Sequence, residues 1–152
     1  MFRRFAIAAL ALIGIAVGLG WSAGTFSFSD DPQLIDFATR IGLQDPGGFA
    51  ETVTSLRHTG RLPARYVAKD AAQEFGWRPG ADLCRVLPSH VIGGDRFANR
   101  EGRLPDRHGR VWGEADLDFA CGRRGPRRLV FSNDGLMFVT LDHYETFIEV
   151  PR

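Results

Sequence analysis

Glu114 and His143 are the two residues of this sequence best suited to exchange protons with a bound substrate, and arginines crowd around them. The relevant stretches are Val111-Trp112-Gly113-Glu114-Ala115-Asp116, Arg123-Arg124-Gly125-Pro126-Arg127-Arg128 and Asp142-His143-Tyr144. A carboxylate and an imidazole can divide the work of base and acid, and imidazole does so well because its ordinary pKa, about 6.5, lies near operating pH. Guanidinium groups supply the fixed positive charge that a phosphoryl transition state demands. The chemistry indicated is transfer at a phosphodiester, with cleavage of RNA as the first reading.

Each feature also has a plain structural reading when taken alone. A strand carboxylate is usually a solvated side chain, a histidine in a turn is usually structural, and a basic loop is usually solvated. Period-two alternation puts Trp112, Glu114 and Asp116 on one face of a strand and Ala115 and Leu117 on the other, so Glu114 is expected on an open sheet face. Arg124 and Arg128 flank Gly125-Pro126, where proline excludes a helix, and a turn can aim both guanidinium groups at one phosphate. Arg123 and Arg127 are expected to point outward. Lys69 is the only lysine among 19 basic residues. A compact, mobile point charge there, at a helix start where it opposes the dipole, suits a functional contact, although coding bias alone also accounts for the ratio.

The run Gly93-Gly94-Asp95-Arg96-Phe97-Ala98-Asn99-Arg100-Glu101-Gly102 reads as a loop. Its backbone amides can donate to a base, and Glu101 can accept from the N1 and N2 edge of guanine, the kind of contact that reads single-stranded RNA. The structural alternative is a tight turn held by Asp95 and Asn99. It is not a phosphate-binding P-loop, because the terminal Gly-Lys-Ser/Thr is missing.

These residues need a frame. Asp31-Pro32 and Asp45-Pro46 are helix starts: the first opens a short helix carrying Leu34, Ile35, Phe37, Ala38 and Ile41, the second a helix carrying Phe49, Val53 and Leu56 and ending at Gly60. A third helix over Lys69 to Phe75 closes at Gly76, and Ala68 cannot cap its start through a side chain. Strands are expected over 110–119, 128–132, 136–140 and 144–150, with Asn133-Asp134-Gly135 as a hairpin signal. Helices followed by antiparallel strands make an α+β domain.

The first 24 residues are set apart. Arg3-Arg4 precedes an apolar run from Phe5 to Gly20 and small residues at Ser22, Ala23 and Gly24, the pattern of a secretory signal or of an uncleaved anchor with the domain outside the cytoplasm. The division expected is residues 1–24 as leader or anchor, 25–45 as an N-terminal extension and 46–152 as the working domain. The chain carries 19 basic and 18 acidic residues, so net charge does not mark a nucleic-acid binder. The distribution is more telling: Arg100 to Arg128 holds eight arginines against five acids, which fits a local phosphate site. Cys84 and Cys121, the only cysteines, are expected to form a disulfide in an exported chain, worth about 4 kcal/mol on the loop-entropy account. Free thiols or half a metal site are the alternatives.

The motifs together resemble the secreted, guanyl-preferring microbial ribonucleases of the barnase type. The resemblance rests on Leu62-Pro63 through Tyr66 and Lys69, Gly76-Trp77, Ile92-Gly93-Gly94-Asp95, Phe97, Asn99-Arg100-Glu101-Gly102, Leu104-Pro105, Gly109-Arg110, Trp112, Glu114-Ala115-Asp116, Arg124, Arg128, Asp142-His143-Tyr144 and Thr146-Phe147, over about residues 46 to 150. It implies helices packed on a roughly five-stranded antiparallel sheet, Glu114 as general base and His143 as general acid. It further implies that Lys69, Arg124, Arg128 and Tyr144 stabilise the phosphate, and that Phe97, Ala98, Asn99, Arg100 and Glu101 form a guanine loop with Glu101 as reader. The implied reaction runs through a 2',3'-cyclic phosphate to a 3'-phosphate, without metal or other cofactor and without DNA as substrate. A monomer is expected, with a small acidic barstar-like intracellular inhibitor as a partner. Departures from the family pattern are Ala98 in place of serine, Ala68 without a capping side chain, and the added Cys84 and Cys121. Gly113 replaces a larger residue, often arginine, and is expected to thin the outer phosphate-binding surface. A non-catalytic RNA- or protein-binding module on the same fold, and an envelope domain held by its leader, are the competing readings.

Overall fold

The computed structural model describes residues 31–152, so the leader expected over 1–24 lies outside the described residues. Among the described residues no helix is long and apolar enough to cross a membrane.

Two Asp-Pro signals start the first two helices. Asp31 accepts from the amides of Gln33 and Leu34 to open α1, Pro32–Arg40. Asp45 accepts from Gly48 to open α2, Pro46–Thr59, which Gly60 closes in the left-handed region. Residues 31–45 of the expected extension are thereby part of the fold: Leu34, Phe37, Ala38 and Leu43 share one buried cluster with Phe49, Ala50, Val53 and Leu56 of α2. The short α3, Lys69–Glu74, has no cap from Ala68. Asp95 takes that place from a distant strand, both its oxygens accepting from the Lys69 amide at 3.2 and 3.3 Å.

The sheet has six strands in sequence order: β1 Tyr66–Val67, β2 Val91–Phe97, β3 Trp112–Asp116, β4 Arg128–Ser132, β5 Met137–Thr140 and β6 Ile148–Glu149. β1 runs parallel to β2, and all other neighbours are antiparallel. The architecture is α+β, with one more strand than the five expected. β2 is where a loop was expected. Its register slips between Gly93 and Asp95, and Gly94 carries a φ of +101° there. Gly93 also lets β1 close in, since a Cβ would stand 2.6 Å from the Tyr66 ring.

At the other edge the strand expected over 144–150 shrinks to Ile148–Glu149. His143 and Tyr144 both take positive φ, 59° and 76°, so the chain turns where continuous alternation was expected.

The α2 side of the sheet carries the main core, with Leu117, Leu129, Met137 and Val139 buried against the two helices. Ala72, Trp77, Leu83 and Ile92 form a second cluster under α3. On the opposite face Leu104, Trp112 and Val130 pack with Phe97, Phe138, Tyr144 and Phe147. Cys84 and Cys121 are joined by a disulfide across a separation of 37 residues, as expected for the pair.

Gly113 lies on the α2 side, opposite Phe131, and a Cβ would meet that ring at 2.7 Å. Its missing side chain therefore does not thin the surface on the Glu114 face, contrary to expectation, because residues 113 and 114 alternate across the sheet.

Candidate active site

β3 is the centre of the site because its alternation presents Trp112, Glu114 and Asp116 on one face. The face is not open, as expected, but covered: Glu114 is 7% exposed. The ammonium of Lys69, projected from the first residue of α3, donates to Oε1 of Glu114 at 2.6 Å. The Tyr144 hydroxyl donates to Oε2 at 2.5 Å. Burial pushes the Glu114 carboxyl up, but the bonds from Lys69 and Tyr144 and the charges of Lys69 and Arg128 outweigh it, so the pKa ends below the ordinary carboxylate value. Burial, and then the charge and hydrogen bond of Glu114, raise the Tyr144 phenol well above its ordinary value, so it stays a donor.

Asp116, 2% exposed, anchors the arginines. Arg124 donates Nε and Nη2 to its two oxygens, both at 2.6 Å. That hydrogen bonding is the main reason the Arg124 pKa is raised. Arg128 Nε stands 2.9 Å from the same carboxylate, a close charge contact that is not aligned as a hydrogen bond. Arg128 also donates Nη1 to the carbonyls of Gly125 and Arg127 at 2.7 Å, and is 4% exposed. Arg123 is exposed, as expected. Arg127 is not an outward residue: it pairs with Asp118 at 2.5 Å, and Asp118 also accepts from the amides of Gln44 and Asp45 that link α1 to α2.

His143 lies on the turn between β5 and β6. Asp142 shapes that turn by accepting from Thr140, from the Thr146 amide and from the Thr146 hydroxyl, at 2.9, 2.9 and 2.6 Å. These bonds, chiefly those from Thr146, hold the Asp142 carboxyl down at about 2. They offset the cost, about 1–3 kcal/mol for each residue, of two consecutive non-glycine residues at positive φ. The His143 ring lies 4.8 Å from that of Tyr144, whose hydroxyl reaches Glu114. Glu114, Tyr144 and His143 thus form a contiguous series on one side of the sheet.

Phe97, Ala98, Asn99, Arg100 and Glu101 line an adjoining cleft of about 320 Å³ together with Arg96, Arg103, His143, Tyr144 and Glu145. Phe97 stacks on Tyr144 at 5.1 Å. Asn99 locks the loop by donating to the Leu104 carbonyl and accepting from its amide, at 2.9 and 3.0 Å. Asp95, expected to hold this turn, is occupied instead at α3, with its carboxylate 3.7 Å from the Lys69 ammonium. Ala98, Arg100 and Glu101 are exposed. A larger cleft, about 670 Å³, lies at the end of α2 beside Gly113, Phe131 and Met137, and none of the residues expected to handle protons or to face phosphate lines it.

One group among the described residues, Asp82, Cys84 and Cys121, brings three metal-type ligand atoms together. Both its sulfurs are spent in the disulfide, and it is thiolate that binds metal, so the donor set does not suit an ion.

Two contributors were hidden from sequence reasoning. Asp116 was visible as a neighbour of Glu114, but not as the anchor of both arginines. Asp95 gave no local sign that it caps a helix 26 residues earlier.

The ribonuclease family model matches residues 49–151. A ribonuclease of Heyndrickxia coagulans is 47% identical over 91 residues, which cover 59% of this chain and 84% of that protein. Ribonucleases of Bacillus intermedius and Bacillus pumilus are also 47% identical over 91 residues, covering 59% of this chain and 56% of each relative. The match thus spans about half the length of those two. Among solved structures, the crystal structure of ribonuclease Sa2 with guanosine-2'-cyclophosphate aligns with 26% identity and a TM-score of 0.34, over 57% of this chain and 94% of that one.

Proposed function

The chain belongs to the ribonuclease family, and from that footing we propose that it is an endoribonuclease that cleaves single-stranded RNA on the 3' side of guanosine through a 2',3'-cyclic phosphate. The observation that carries the proposal is the arrangement around Glu114: a buried, ionised carboxylate held by Lys69 and Tyr144, with Arg128 near and His143 beyond Tyr144.

In the first step Glu114 takes the proton of the ribose 2'-hydroxyl while the 2'-oxygen attacks phosphorus. The bond to the 5'-oxygen breaks, and protonated His143 gives its proton to that leaving oxygen. Lys69, Arg124 and Arg128 hold the charge that builds on the phosphoryl oxygens. The second step reverses the roles. Neutral His143 takes a proton from water, the hydroxide opens the cyclic phosphate, and Glu114 returns its proton to the 2'-oxygen. A low Glu114 pKa suits the first step, because the base is ionised at neutral pH. DNA lacks the 2'-hydroxyl nucleophile and is no substrate. Every charge and proton needed is supplied by side chains, so the reaction is proposed to run without metal.

The cleft between residues 97–101 and the His143 turn is proposed to take the base, with Glu101 accepting from guanine and backbone amides of the loop donating to it. The leader, the disulfide and the arginine-rich site fit an exported enzyme, released or anchored, acting as a monomer and held in check before export by an acidic inhibitor. The test is a dinucleotide with guanosine on the 5' side. Glu114→Gln and His143→Ala should each abolish most cleavage while the fold persists, and unchanged rates would overturn their roles.

A further inference from the structure

Arg103 is the remaining side chain that joins two parts of the site. Its backbone is fixed in the recognition loop: Gly102 follows the Asn99 turn, and Leu104 next to it is buried and locked by both bonds to Asn99. Its guanidinium leaves that loop and lands on the other wall of the cleft. Nη1 donates to the Tyr144 carbonyl at 3.0 Å, to the Glu145 carbonyl, and to the Glu145 carboxylate at 3.0 Å. Its two hydrogens are therefore shared among three oxygens of one turn. These acceptors directly follow His143, within the segment that holds two residues at positive φ.

The other bonds around this turn do different work. Those of Asp142 run only between residues 140 and 146 and fix the turn's internal shape. The Tyr144 hydroxyl ties it to β3. Among the described residues, the hydrogen bonds that tie its backbone to the loop lining the base cleft come from Arg103. An ordered loop therefore braces the segment carrying the imidazole, and a loosened loop releases it.

We propose that Arg103 is a positioning residue that couples occupancy of the base cleft to the placement of His143, so that the preferred base speeds the chemical step as well as binding. The inference rests on the ribonuclease reading above. Arg103 touches no reacting atom in this scheme. It acts through the turn backbone, and the coupling is reciprocal because both walls share the same bonds.

The test compares the full chain with Arg103→Met and Arg103→Lys, using dinucleotides with guanosine or adenosine on the 5' side. Arg103→Met should lower kcat on the guanosine substrate roughly tenfold, since misplacement by an ångström can cost about a hundredfold. KM should stay within about twofold. The guanosine-to-adenosine ratio in kcat should shrink, and Arg103→Lys, which keeps donors for the carbonyls, should recover most of the loss. Circular dichroism at the assay temperature gives the folded fraction. A second readout is independent of turnover: titration with guanosine should shift the backbone amides of Tyr144 and Glu145 in the wild type, and much less in Arg103→Met. Unchanged kcat, a loss that only tracks unfolding, failure of lysine to rescue, or an undiminished amide response would each overturn the inference. A wild type that binds guanosine with the amide response but cleaves nothing would instead refute the ribonuclease reading and leave the coupling standing.

Discussion

Replacing Asp116 by asparagine keeps the shape of the side chain and removes its charge, which makes it a clean test of what holds the arginines. Asp116 is 2% exposed and faces Arg124 through two bonds of 2.6 Å and Arg128 across 2.9 Å. Asparagine would keep one acceptor and turn an amide NH2 toward a guanidinium. Two cations would then share a site without the one carboxylate that contacts both, and one of them is only 4% exposed. Deleting one partner of a buried ion pair costs about 3–5 kcal/mol. Arg124, with 20% side-chain exposure, can relax toward water, which favours the lower half of that range. A loss of about 3.5 kcal/mol raises the unfolding constant roughly four-hundredfold, a large part of the ~5–15 kcal/mol that a domain commands. Urea unfolding of wild type and variant measures this, provided the slopes agree. Below the transition, where the variant is folded, kcat should fall about 10–100-fold, because neither arginine is aimed any longer. A variant within about 1 kcal/mol of wild type would show that the pair is not the anchor described here.

The remaining expectations follow from the same geometry. Tyr144→Phe removes a hydrogen bond that lowers the Glu114 pKa, so the acidic limb of the kcat/KM profile should move to higher pH; an unmoved limb would contradict the contact. Asp142 and Asp134 are held at about 2 against an ordinary 3.8, Asp142 chiefly by Thr146 and Asp134 chiefly by Arg110. The unfolded chain therefore binds more protons, so their stabilisation is present above about pH 4 and lost as pH falls toward 2. Urea midpoints at pH 5, 3.5 and 2 should fall in that order, and Asp142→Asn should flatten the trend. Glu101→Ala should lower the guanine-to-adenine cleavage ratio with little change in thermal stability, because the side chain is exposed. Reduction of Cys84–Cys121 should destabilise the fold by about 4 kcal/mol, read as a shift in the urea midpoint under reducing conditions.

What could be read in the sequence was whatever is encoded locally. Asp31-Pro32, Asp45-Pro46 and Gly60 each carry a complete helix signal within four residues, and the structure uses all three. The 128–132 strand and the Asn133-Asp134-Gly135 turn were legible for the same reason. β2 was not, because Gly93-Gly94 breaks apolar alternation and reads as a loop; its pairing depends on β3, which arrives some twenty residues later. The truncation of the last strand was hidden by side-chain alternation from Tyr144 onward, while Asp142 bends the backbone there.

The same division holds at the site. Side-chain types named Glu114, His143, Lys69 and the arginines. Distance decided how they are held: Asp95 caps the helix that carries Lys69, Asp116 gathers Arg124 and Arg128, and Asp118 withdraws Arg127 from solvent. None of these partners is marked by spacing. Gly113 shows how a single step in register reverses a conclusion, since one residue's shift along β3 moves a side chain from the Glu114 face to the α2 face.

Glu114 and His143 are proposed to act as base and acid at one phosphodiester. The most direct measurement follows the cleavage of a defined guanosine-containing RNA in EDTA by phosphorus NMR. A 2',3'-cyclic phosphate after guanosine, giving way to a 3'-phosphate and lost in Glu114→Gln, is the predicted result. Products ending in a 5'-phosphate, or turnover that vanishes with EDTA and returns with a divalent ion, would contradict it.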